Sequence, residues 1–205
     1  MKKIGLPLLL MLGCATTAIG DGPPAPFANR VVSFHPGPGA TFGQDKMPGI
    51  VLGPPQGAGS GAGSLDVVSL GTNGEIILAF DGMTIVDKPG PDFIVFENPF
   101  SSWQEPGYVA VSDDGLTWHE WPCAWQDKAD DFPGCAGVRA VLANSENGID
   151  PTDPRRAGGD AFDLADVTVT TARYVRIRDS GHNPADPPGA GFDLDAVSVI
   201  HTGPP

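Results

Sequence analysis

Two stretches near the end of the chain set carboxylates beside glycine turns: "GGDAFDLADV", Gly158 to Val167, and "GAGFDLDAV", Gly189 to Val197. If the second enters a strand, alternation puts Asp193 and Asp195 on one side and Phe192 and Leu194 on the other, with the two carboxylates about 6.5–7 Å apart. Phe and Leu pack; crowded acids need a partner. A hard divalent cation supplies one, because Ca²⁺ takes about six to eight oxygens and accepts carboxylates mixed with amide and backbone carbonyls from flexible glycine turns. The candidate ligands are Asp160, Asp163, Asp193 and Asp195, joined by Asp66, Asp92, Glu97 and Asn98. An oxygen-rich set in a chain with only 4 histidines disfavours soft metals, without separating calcium from magnesium. A plainer reading stands beside this one. Acids next to glycine commonly cap turns by accepting backbone N–H bonds, and Arg155, Arg156, Arg173, Arg176 and Arg178 offer salt bridges.

Other chemistry is harder to find. The chain contains no G-x-S-x-G elbow, no H-E-x-x-H, no phosphate-binding loop, no dinucleotide fingerprint and no EF-hand loop. His119 and Glu120 are neighbours in "TWHEW", so a strand points them to opposite faces and they do not act together. A pair of acids could in principle serve a glycoside hydrolase, but a metal explains their clustering more economically, and no catalytic residue is assigned. Trp103, Trp121 and Trp125 lie in or beside loops, "FSSWQEPG" and "WPCAWQDK", where an indole can stack on a sugar ring or simply cover a sheet end.

The elements that must position these residues are strands. No segment keeps apolar positions at helical spacing for long, whereas short β-branched runs recur. They are Arg30 to Phe34, Leu65 to Leu70, Glu75 to Phe80, Asp92 to Glu97, Tyr108 to Ser112, Leu116 to Trp121, Val138 to Leu142, Asp166 to Thr170, Tyr174 to Arg178 and Ala196 to His201. Asn73-Gly74 and Asp114-Gly115 predict two hairpin turns, since both dipeptides tolerate positive φ. The spacing predicts an all-β, two-sheet antiparallel sandwich or jelly roll. With 28 glycines and 22 prolines among 205 residues the chain approaches disordered composition, but 40% hydrophobic content and the recurring runs favour one turn-rich folded domain. The glycine-rich Gly53 to Ser64 is expected to be a long mobile loop, or a coil ordered over a bound ion.

Two runs carry a resemblance. "YVAVSDDGLTWHEW" resembles the V-S-x-D-G-x-x-W hairpin of discoidin-like (F5/8 type C, galactose-binding-like) jelly rolls, and "TARYVRIRDS" resembles their A-R-Y-V-R-I strand. With "GSLDVVSLGTNGEIILAF", "GPDFIVFEN" and the two acidic stretches, the chain from Val31 to His201 is similar to a family of bacterial cell-surface and secreted proteins. The resemblance implies a jelly-roll fold, an inward-packed Trp118 and a structural Ca²⁺ held by an Asp of the last strand with an acid from another strand. It implies little about activity.

The N-terminus, "MKKIGLPLLLMLGCATTAIGDGPPAP", has two lysines and an apolar run from Ile4 to Leu12, which reads as a secretory signal too short to span a membrane. "MLGC" resembles a bacterial lipobox, which would make Cys14 the acylated N-terminus; ordinary cleavage after Gly20 is the alternative. The expected organisation is a signal over 1–14, a Pro/Gly-rich tether over 15–29 and a single sandwich over 30–202. Setting Cys14 aside leaves Cys123 and Cys135, which in an oxidising compartment are expected to pair. The net charge of −13 becomes −15 once Lys2 and Lys3 leave with the signal. Such a surface repels nucleic acid and anionic membranes, so the membrane is reached only through a lipid anchor. The expected location is the bacterial outer membrane or cell surface, otherwise the periplasm or the medium. The expected role is ligand binding, with a glycan or another envelope component as partner; a purely structural envelope protein is the alternative.

Overall fold

The β-branched and aromatic runs form strands where the sequence puts most of them, and glycine, proline and aspartate separate them. In a computed structural model describing residues 25–98, 103–182 and 191–205 the chain is all-β. The strands are β1 (Arg30–His35), β2 (Val68–Ser69), β3 (Glu75–Ala79), β4 (Thr84–Val86), β5 (Phe93–Phe96), β6 (Gly107–Ser112) and β7 (His119–Glu120), followed by β8 (Asp160–Phe162), β9 (Thr171–Ala172), β10 (Tyr174–Asp179), β11 (Asp193–Leu194), β12 (Ala196–Val199) and β13 (Thr202–Gly203). All pair antiparallel. A five-stranded sheet runs β1-β3-β10-β6-β7; opposite it lie β12-β5-β8, β13-β4-β9 and the short pair β11-β2. The expectation of an antiparallel β-sandwich holds.

The two faces differ because their sequences do. In β10, Val175 and Ile177 point into the core while Tyr174, Arg176 and Arg178 alternate outward. On that outer face Arg176 reaches Glu75 and Glu120, and its guanidinium lies 4.7 Å from the Trp118 ring centroid. Trp118 is therefore half-exposed under an arginine instead of packed inward as the resemblance implies. By contrast, β5 and β12 are buried at every position. Phe93, Val95, Val197 and Val199 join the main core, whereas Ile94, Phe96 and Ala196 face a second, smaller core with Val141, Ala143 and Ala157. Burial on both faces is why those strands read as continuous apolar runs.

Several local expectations change. Val138 to Leu142 is no strand; it is the cover of the second core, tied by Leu142 N–H to Ala157 O and by an isolated bridge from Val141 to Gly158. Asp166 to Thr170 is no strand either, because Asp163 accepts from Ala165 N–H and starts a 3-10 helix, Leu164–Val167, ended by Thr168 at φ 59°. Asp114-Gly115 makes a hairpin between β6 and β7, with Gly115 at φ 74°. Asn73-Gly74 does turn, at φ 58° for Asn73, but it links two sheets: β2 pairs with β11, and β3 with β1 and β10.

Ends and loops are pinned. Phe27 bridges Ser198 and Val199 N–H reaches Pro26 O, so the described end of the proposed tether packs on the sandwich. The glycine-rich loop is an ordered coil: Gly57 and Gly59 donate to Ala143 O and Val141 O, Ser64 N–H donates to Asn98 Oδ1, and Asn98 Nδ2 returns a bond to Ser64 O. Cys123 and Cys135 form the expected disulfide, with Cα atoms 4.5 Å apart. Cys14 and the stretch expected to be a signal lie outside the described residues. Among those described, no helix is long and apolar enough to cross a membrane.

Candidate metal centre

Three loops and strand ends converge at one end of the sandwich. Glu97 follows β5, Glu105 precedes β6 and Asp193 opens β11, so chain-distant acids meet through sheet topology. One carboxylate oxygen from each lies within 4.8 Å of the others. Glu97 is 1% exposed and Glu105 4%; Asp193 is half-buried. Gly191 at φ 94° permits the approach, since a Cβ there would meet the Gly71 backbone at 2.7 Å.

The hydrogen bonding is divided in a particular way. Asp193 N–H donates to Glu97 Oε1 at 3.1 Å. Gly191 N–H and the Trp103 side chain donate to Glu105, and the Ser69 hydroxyl donates to Asp193. The other oxygens, Glu97 Oε2, Glu105 Oε1 and Asp193 Oδ1, are buried without a hydrogen-bond partner among the described residues. Each acid is thus oriented through one oxygen while the other is left for something else, the arrangement that metal-ligating carboxylates show. A buried unsatisfied acceptor costs about 1–3 kcal/mol, more when charged. Three of them weigh heavily against a total stability of about 5–15 kcal/mol.

Electrostatics points the same way. Burial, then Asp193 and Glu105 nearby, holds the Glu97 carboxyl well above its usual range. Burial, with Asp193 and Asp179 adding, pushes Glu105 up to about 8, and burial raises Asp193 to about 6. At neutral pH the cluster must hold protons or a cation.

The remaining predicted ligands go elsewhere. Asp160 does not join the site: one of its oxygens accepts from Gly137, Val138 and Arg139 N–H and ties that loop to β8. Asp195 falls between β11 and β12, two residues past Asp193, and both its oxygens take Gln56 N–H at 3.0 and 3.1 Å, so that it sits near Asp66 rather than the triad. Burial pushes it to about 8. Asp163 and Asp92 approach Asp87, but Asp163 caps its helix, and Asp92 accepts from Lys88 N–H and Leu164 N–H and faces His201 Nδ1 at 2.9 Å. Asn98 holds the glycine-rich loop. So the turn-capping reading describes Asp160, Asp163, Asp92 and Asp195, and of the eight residues expected only Glu97 and Asp193 meet in the triad. Arg173 pairs instead with Asp113, and Arg176 and Arg178 with Glu120, while Arg139 lies close enough to Asp160 to favour its charged form.

The tryptophans stand in different settings, and Trp103 is 38% exposed. Trp121 is 4% exposed, edge-on to Phe93 and Phe162 with centroids at 5.7 and 5.1 Å. Trp125 stacks on His182 at 3.6 Å, and Trp103 bonds Glu105. Glu105 and Asp179 were invisible as site residues; Asp179, buried beside the triad, accepts from Asn73, Gly181 and Phe192 N–H. No local signal in "WQEPG" marks Glu105 as a ligand. No protein-family model matches the chain, and no curated protein matches it.

Proposed function

We propose that this chain is an exported binding module, a β-sandwich locked by one calcium ion that Glu97, Glu105 and Asp193 hold. The observation that carries the reading is the set of three buried carboxylates, each oriented through one oxygen and unpartnered at the other. Calcium suits three flexible-loop carboxylates completed by water or backbone oxygens, and its bonds of about 2.3–2.6 Å span the oxygen separations; magnesium demands tighter octahedral geometry. The ion supplies charge compensation and a fixed joint between β5, β6 and β11. Burial of the acids favours a structural ion over a glycoside hydrolase, whose carboxylates must flank a substrate cleft. The disulfide supports an oxidising compartment, and the lipobox-like "MLGC" supports anchoring through Cys14, which mass spectrometry of the native protein tests.

The test of the ion is a calcium titration by calorimetry with parallel melting curves. At a calcium concentration about 100-fold above Kd the folded state gains about 2.7 kcal/mol, which for a domain of this size raises Tm by roughly 5–10 °C. Chelator should reverse the gain and magnesium should reproduce little of it. No heat of binding at millimolar calcium, with an unchanged melting curve in chelator, would end the proposal.

A further inference from the structure

The chain contains two Asn-Gly steps, Asn73-Gly74 and Asn147-Gly148, and the fold treats them differently. At such a step the side-chain amide can reach the next backbone nitrogen, because glycine sets no Cβ beside that nitrogen and leaves its backbone free to turn. In the turn between the two sheets this chemistry is shut off. Gly74 is buried, its N–H donates to Gly71 O at 2.8 Å, and the Leu70 and Gly37 backbones press against it. Asn73 is held as well, its own N–H donating to Asp179 Oδ1 at 2.8 Å.

The second step is open. Asn147 and Gly148 are both exposed, Gly148 N–H donates to nothing among the described residues, and no heavy atom stands within 4 Å of where a Cβ at Gly148 would be. Asn147 Oδ1 accepts from Ile149 N–H at 3.1 Å, a bond that spans Gly148 and lays the side-chain amide along its backbone. The same oxygen accepts from Asn144 N–H at 3.3 Å. Two donors on one amide oxygen polarise its carbon and face the negative charge that the oxygen gains under attack.

We infer that Asn147 is a site of self-modification, at which the Gly148 nitrogen, on losing its proton to solvent base, attacks Asn147 Cγ. The N–Cγ bond forms, the Cγ–Nδ2 bond breaks, and Nδ2 takes up a proton and leaves as ammonia. Water then opens the succinimide at either of its carbonyls, leaving aspartate or isoaspartate at position 147. Nothing is oxidised or reduced, and water is the only co-reactant. The product gains a negative charge between Glu146 and Asp150 in sequence and lacks the bond from Asn147 Nδ2 to Leu142 O, 2.7 Å in the unmodified turn. Asn144, Ser145, Gly148 and Ile149 wall a groove that Phe27 also lines, so the change acts on the shape and charge of that groove. None of this depends on the triad's ion.

The test incubates the full chain at pH 6 and at pH 8.5, folded and in parallel unfolded in guanidinium chloride, and follows both asparagines by peptide mapping with mass spectrometry. In the folded protein Asn147 should convert at least tenfold faster than Asn73, because the Gly74 N–H is released only by local opening. Its rate should rise with pH, as loss of the Gly148 proton requires, and isoaspartate should be among the products. In denaturant the two sites should convert at comparable rates, which assigns the difference to the fold. Folded protein in which Asn147 stays intact, or converts no faster than Asn73, overturns the inference. A tenfold preference that persists in denaturant overturns the part given to the fold and places the cause in the local sequence.

Discussion

Removing a single charge from the buried triad should move stability in opposite directions with and without calcium. Glu105→Gln keeps the shape, and in chelator at pH 8 it relieves repulsion from Asp193 and Asp179, so Tm should rise by a few degrees. In calcium the same variant loses a ligand, and affinity measured by calorimetry should fall at least tenfold. A Tm change of one sign in both conditions contradicts the ligand role. Asp195→Asn is the control: its carboxylate serves Gln56 N–H outside the triad, so calcium affinity should stay within about twofold of the parent. The sequence marks Asp193 through its glycine turn and apolar neighbours, because alternation is local. It marks Glu105 not at all, because only the return of β10 to β6 and of β11 to β2 brings that acid to Asp193. Asp160 shows the converse: its setting beside glycines is legible, but whether its oxygens meet a cation or backbone N–H groups depends on a loop twenty-odd residues away in sequence.

At the scale of elements, the disulfide loop leaves the five-stranded sheet at β7 and comes back beside it through Ala136, which bridges Gly107 at the start of β6. Closing a loop of that length restricts the unfolded chain by about 3 kcal/mol. The Cys123→Ser/Cys135→Ser double variant should therefore lower Tm by roughly 6–12 °C, read by calorimetry in calcium; a shift under two degrees would mean that Phe132 and Trp121 packing alone holds the loop. Elements with strong period-two or continuous apolar patterns, β1, β3, β5, β6, β10 and β12, are visible in the sequence because pattern and burial coincide. The short strands β4, β8, β9 and β13 escape it, since two or three residues carry no period. "VRAVL" misleads for a physical reason: β-branched residues are equally suited to a coil that roofs a small second core.

For the whole molecule, the buried acids set how stability depends on pH, and calcium should change that dependence. Glu97, Glu105, Asp193, Asp195 and Asp160 all have folded-state pKa values above their ordinary ones, with burial the leading cause in each. The folded protein therefore binds more protons than the unfolded chain, and unfolding free energy falls as pH rises. The loss begins near the ordinary carboxylate range and continues through about 6 for Asp160 and Asp193 to about 8 for Glu105 and Asp195. In chelator, Tm should accordingly be higher at pH 5 than at pH 8.5. A bound cation replaces the protons of Glu97, Glu105 and Asp193 but not those of Asp160 and Asp195, so calcium should flatten the curve in part and not abolish it. Binding should also release protons near pH 7, most of them from Glu105 and Glu97, which calorimetry detects as a dependence of the heat on the buffer's ionisation enthalpy. A chelated protein whose stability instead rises from pH 5 to 8.5, or calcium binding with no proton release, would mean that these acids are already ionised in the fold and that something other than protons balances them.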